Sequence, residues 1–447
     1  MAGGESARIN LDPYQCASDQ DTDKRLGAYY IYLVMSSTIT PPTAKRGRWR
    51  TFTSAPHRMM FFAGAVQTVL IMLFWLAELL GRSGWWSIPL TVIPPVWAHV
   101  FLMLYGLFPF FIFGFLFTVY PRWLRGPIVP AARYSAVFVH LVAGVIVFYA
   151  GLFTSRVAVA AALTLLLTGW GVALHSLLAV YRKAPNPGLH ERLLNFALTA
   201  GFIGIACFLV GVLHPAPWAY LLARETGLWL FLIPVVFLVA HRMIPFFSHS
   251  ALIHYIMVRP TWGPPVLVVC VVGHVLFELN NLAAWRFLAD APLAIAALHH
   301  SWIWQFRRSF HARLLAMLHI AFLWLGIGMT LYTAQSLVLF VTGMDYLGRA
   351  PMHALGIGFL TGMVVAMASR VTLGHSGRTL EANDLTWGVL LRVNIAAMMR
   401  ITAEFIPGIV GSALNVLAAT IWLVAFLVWG WQYAPIYLRP RLDRKPG

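Results

Sequence analysis

The hydropathy pattern constrains this chain before anything else does. Between residues 59 and 434 it is a succession of apolar stretches joined by short connections: 59–80, 96–121, 132–152, 157–180, 193–214, 226–244, 263–280, 287–305, 313–340, 352–374, 385–405 and 410–434. A helix of about 20 apolar residues crosses the hydrocarbon core of a bilayer. Only helices and closed barrels satisfy their own backbone hydrogen bonds there. The expected fold is therefore all-α, a polytopic transmembrane helical bundle of about 12 spans. The eighth stretch, with LADAPLAIAALHHSWIW, is the weakest, and a re-entrant segment there would change the count. With 60% hydrophobic and 11% charged residues, no soluble globular class accommodates the chain.

The formal charge of +17 would ordinarily raise nucleic acid as a partner. The basic residues instead sit between the apolar stretches. With the N-terminus placed in the cytoplasm, Arg46, Arg48, Arg50, Arg122, Arg125, Arg133, Arg182, Lys183, Arg192, Arg307, Arg308, Arg313, Arg439 and Arg441 fall on the inner side. The opposite loops hold isolated arginines at 82, 156, 224, 286 and 349. That asymmetry is the positive-inside bias. It places both termini in the cytoplasm, makes the lipid bilayer the partner and excludes nucleic acid. The chain divides into a polar cytoplasmic tail at 1–55, one transmembrane helical domain at 56–435 and a basic cytoplasmic tail at 436–447. Cys16, Cys207 and Cys270 are far apart and form no CxxC pair, so they give neither a disulfide framework nor a thiolate metal site.

Sixteen histidines are the unusual stock. His99 lies near the outer end of the second span and His353 near the outer end of the tenth. His274 is about a third of the way in from the same face by count along the span. His241, His249, His254, His375 and His319 lie toward the inner side. Two imidazoles at matched depth on different helices can clamp a haem iron from both sides. His99 and His353 meet that condition. A histidine bonded to a backbone carbonyl is the plainer alternative for each. A cationic group formed by Arg58, Arg242, Arg370, His375 and Arg378 gathers at the inner ends of the spans. These side chains would reach headgroups or hold anionic groups such as haem propionates. Glu78, Glu278 and Glu404 fall near outer ends, where solvation is the default expectation. Ala354, Gly358, Gly362 and Ala366 repeat every four residues, a small-xxx-small stripe read as helix packing. No P-loop, HExxH or nucleophile elbow occurs.

The run MHALGIGFLTGMVVAMASRVTLGHSGRTL resembles the most characteristic motif of the NnrS family. AHRMIPFFSHSAL is similar to that family's Gly-Arg-Met-Ile-Pro-Phe-Phe signature, with His241 standing where the glycine is usual. APHRMMFF resembles its Pro-Phe-Arg-Pro-Phe-Phe motif, and MLHIAFLWLGIGM its ninth-span pattern, with His319. The resemblance runs from about residue 55 to 435. It implies a twelve-span bacterial inner-membrane protein containing haem, of b type, and copper, linked to nitric oxide metabolism and resistance to nitrosative stress, with nitric oxide or a redox partner to match. It points to His99, His353 and His319 as metal ligands. The family's second span reads Trp-His-Ala-His-Glu-Met. Here Trp97 takes the first histidine's position and Val100 the carboxylate's, which weakens the case for copper more than the case for haem. The alternative function is a transporter or exporter of a metal or small anion without redox chemistry. Pro109, Pro234 and Pro245, as breaks in the second and sixth spans, would favour it. A protein that binds haem only transiently, for assembly or sensing, is a third possibility.

Overall fold

The computed structural model describes residues 47–443 apart from 87, 88, 90 and 215. Most of the expected N-terminal tail and the last four residues of the C-terminal tail lie outside the described residues. Among those described there is no strand. After a short helical turn, Arg48–Phe52, the long helices are α1 (Pro56–Arg82), α2 (Pro95–Trp123), α3 (Ala131–Leu152), α4 (Arg156–Arg182), α5 (Leu189–Leu213), α6 (Pro217–Ala251), α7 (Gly263–Leu279), α8 (Phe287–Ile303), α9 (Arg313–Thr342), α10 (Ala350–His375), α11 (Asp384–Phe405) and α12 (Gly408–Tyr437).

Among the described residues, nine of these helices are long and apolar enough to cross a membrane. The exceptions have physical reasons. α7 and α8 are 17 residues each, and α8 carries Asp290. α11 carries Arg392, Asn394 and Arg400 within its length. The helices start where the sequence allows. Proline occupies the first turn of α1, α2, α6 and α10, where its missing N–H loses no bond. Ser155 and Asn383 cap α4 and α11 by accepting from the N–H groups of Ala158 and Thr386.

Hairpin neighbours pack together: α3 on α4, α8 on α9 and α11 on α12, with α12 closing against α1. The outer faces are apolar. Val66, Leu70 and Leu73 form an exposed stripe at helical spacing on α1, while Ile71 and Met72 beside them are buried. Inside, large aromatics fill the core, several with their polar atoms hydrogen-bonded. Trp170 Nε1 donates to Leu198 O at 2.9 Å and Trp429 Nε1 to Ser369 Oγ at 2.9 Å. The small-residue stripe of α10 does what packing predicts. Gly358 lies under the Trp324 ring of α9 and Gly362 against Ala321. Of the nine apolar spans, α2, α6, α9 and α10 are the most buried, and α2, α6 and α10 position the site.

Candidate functional site: a histidine-lined cavity

Each of α2, α6 and α10 contains a π-helical segment: Leu102–Leu107, Thr226–Leu232 and Ala354–Thr361. Two of these have a sequence cause. Pro109 and Pro234 lack the N–H that would bond the carbonyls of Tyr105 and Leu230, so the helix widens over that turn. In α10 the hydroxyl of Thr361 donates to Gly356 O at 2.9 Å, five residues back, and satisfies a carbonyl of the wide turn. A polar residue precedes each segment: His99 in α2, Glu225 in α6 and His353 in α10. The three segments meet around one cavity of about 660 Å³, within the range of cofactor and small-molecule sites.

His99 and His353 both line this cavity, and the two imidazoles are within electrostatic reach of each other. His353 Nδ1–H donates to Arg349 O at 2.9 Å, which leaves its Nε2 as a free lone pair. His99 stacks on Trp75 with ring centroids 4.0 Å apart, and its Nδ1 is buried without a hydrogen-bond partner. A third imidazole, His274 of α7, lines the same cavity. Its Nδ1–H donates to Asp290 Oδ1 at 2.6 Å, and its ring lies on Trp229 at 3.5 Å. The sequence placed His274 by depth without a partner. A carboxylate inside a span was the available signal, but the pairing of α7 with α8 was not.

The cavity's other polar groups form a chain of ion pairs and amide bonds. Arg224 pairs with Glu225 and Glu278, and Arg286 joins Glu278 to Gln335, which reaches Asp345 and Gly348 O. Arg400 pairs with Glu404, whose carboxylate also accepts from the Arg349 N–H. Glu278 and Glu404 are thus held in ion pairs at the cavity, and Glu78 is buried beside Arg82. The default of solvation is corrected for Glu78, which is buried, while Glu278 and Glu404 stay half-buried with arginine partners.

The inner cationic group divides. Arg58, His375 and Arg378 come together, with His57, which the sequence reading passed over, 4.7 Å from His375 between ring centroids. Arg370 lies over the Phe247 ring at 3.9 Å. Arg242 pairs with Glu191 and lies over Trp123 at 4.5 Å. His319 is buried in α9, its Nε2 3.0 Å from Ser248 Oγ, and does not line the cavity. A family model described as NnrS protein matches residues 51–441 of the chain. No curated protein matches it.

Proposed function

Because the chain belongs to the NnrS family over residues 51–441, we propose that it is a haem-binding integral membrane protein acting in nitric oxide metabolism or protection against nitrosative stress, in a bacterial inner membrane. α7, α8 and α11 complete its crossings, and both termini are cytoplasmic. The observation that carries this reading is the cavity into which α2 and α10 deliver His99 and His353.

The residues present fit haem. Two imidazoles from separate helices line one cavity of cofactor size. One has Nε2 freed by its bond to Arg349 O, and the other has a buried Nδ1 that the protein leaves unpartnered. Arg349 lines the same space and would supply positive charge for a propionate, with Arg400 beside it already paired to Glu404. Bound there, haem supplies an iron centre that takes nitric oxide or passes electrons. The chain's own residues do the holding. Trp75 fixes the plane of His99 by stacking, and Arg349 O fixes the tautomer of His353. Met103, Leu104 and Ile357 give the space between them an apolar lining. Copper fits less well. Among the described residues, no three His, Cys, Asp or Glu side chains converge as a metal set. Trp97 is stacked on Tyr220 at 5.3 Å, and Val100 faces the cavity as an apolar group.

The test is an optical spectrum and haem assay of protein purified after expression with ample haem. A Soret band in the wild type, lost or reduced in His99→Ala and in His353→Ala, is expected. A wild-type protein with no Soret band overturns the haem reading. Full haem content in both variants overturns the ligand assignment.

A further inference from the structure

The opposite end of the bundle holds a second polar centre with a different chemistry. α1 is a 27-residue helix that begins Pro56-His57-Arg58, with no side-chain cap on its N-terminus and no acidic residue in its first turn. A helix N-terminus carries about half a positive charge and favours anions there. This one presents two cationic or cationisable side chains instead, and each is only 3% exposed. Arg58 donates through one terminal nitrogen to Tyr437 O at 3.1 Å and Arg439 O at 2.8 Å. These are carbonyl bonds, which satisfy N–H groups without cancelling charge.

Three polar atoms of this centre are buried and have no partner: Arg58 Nε, His57 Nδ1 and a terminal nitrogen of Arg378. His375, at the end of α10, packs against His57. Arg122 and Arg441 are within electrostatic reach of both histidines. Burial first, and then Arg439, draws the Arg378 guanidinium below its usual pKa. The chain after α12 is pinned across this centre, with Leu442 N–H donating to Ser376 O at 3.0 Å. It brings Asp443, whose carboxylate accepts two bonds from Arg441. Among the described residues no carboxylate pairs with Arg58, Arg122 or Arg378. Exposed arginines at a membrane face need no counter-ion beyond solvent. A guanidinium as buried as Arg58 does, because an uncompensated buried charge is strongly unfavourable.

We propose that the N-terminus of α1, with His57, Arg58, Arg122, His375 and Arg378, is a binding site for a phosphate-type oxyanion. A phosphate matches the pieces: several oxygens to accept from forked guanidinium donors, and negative charge for a helix N-terminus. Two sources carry that group to this depth, an anionic phospholipid headgroup and free inorganic phosphate.

The experiment uses the full-length purified protein in two arms. In one, delipidated protein in detergent is titrated with inorganic phosphate and binding is read by calorimetry. In the other, the protein is placed in nanodiscs of phosphatidylcholine with and without phosphatidylglycerol, and retained lipid is read by native mass spectrometry. Arg122→Gln and Arg378→Gln are the test variants: Arg122 is exposed, Arg378 is half-buried, and neither takes part in the Arg58 bonds to Tyr437 O and Arg439 O. Arg307→Gln, an exposed arginine elsewhere, is the control. Saturable binding in at least one arm, weakened about tenfold or more by the test variants and unchanged by the control, is expected. The arm that responds names the source. No saturable binding in either arm overturns the proposal, as does equal weakening by Arg307→Gln. Haem content measured on the same samples reports the cavity separately.

Discussion

Gly358→Ala is expected to destabilise the protein, although it replaces glycine with the residue of highest helix propensity. A Cβ at 358 would lie 2.5 Å from Cγ and 2.7 Å from Cε3 of Trp324. Carbon atoms rest at roughly 3.5–4.0 Å, so the indole has to retreat by about 1 Å. It has little freedom to do so. Trp324 is 8% exposed, and its Nε1 donates to Asn394 Oδ1 at 2.6 Å. A retreat of that size takes the bond beyond the usual limit of about 3.2 Å. Overpacking costs about 1–3 kcal/mol and the lost bond about 0.5–1.5 kcal/mol, so the sum is about 1.5–4.5 kcal/mol. Gly356→Ala is the control in the same π-helical segment, since a Cβ there meets nothing within 4 Å. The assay is thermal and denaturant unfolding of both variants in one detergent. A Gly358→Ala protein within about 0.5 kcal/mol of Gly356→Ala would refute the reasoning. It would mean that the α9–α10 contact yields more easily than its geometry indicates.

Other substitutions read other parts of the structure. Thr361→Val removes the hydroxyl that bonds Gly356 O; a loss of about 1 kcal/mol in the same unfolding assay is expected. Asp290→Ala strips the fully buried partner from His274, and a loss of about 3 kcal/mol should appear; Asp290→Asn, which keeps an acceptor at the same place, should lose clearly less. Arg370→Met keeps the aliphatic stem and gives up the contact with Phe247; unfolding should shift by no more than about 2 kcal/mol, and a larger loss would show that Arg370 has a stronger partner than an aromatic face.

The helical bundle was legible because hydropathy reports on single residues and their near neighbours. The cavity was legible only in part. His99 and His353 could be matched by depth, since depth follows from topology and a rise per residue. The Asp290–His274 bond could not be, because it depends on how α7 and α8 rotate against each other. The same limit hid His57. Its neighbour Arg58 stood out as a charge at a span end, whereas His57 gains meaning only when α10 brings His375 to 4.7 Å. It also merged five inner cationic side chains into one group. The structure splits them because each finds its own neighbour: Arg242 finds Glu191, Arg370 finds Phe247, and Arg58 finds the carbonyls that end α12.

The prolines show most directly how backbone chemistry shapes the site. Read along the chain, Pro109 and Pro234 look like breaks in the second and sixth spans. In the structure α2 and α6 run on through them with a wide turn just upstream. A true break would expose the orphan groups of two helix ends to lipid or cavity, each costing several kcal/mol in hydrocarbon. A π-helical turn shifts the bonding register instead and strands far fewer. α10 reaches the same state without proline, with the Thr361 hydroxyl bonding Gly356 O, while Gly358 and Gly362 let α9 come close. In all three helices the polar residue that faces the cavity stands just before the wide turn, where the regular alignment of side chains is suspended. The helices can therefore bring His99, Glu225 and His353 to one interior space while their backbones stay closed to lipid.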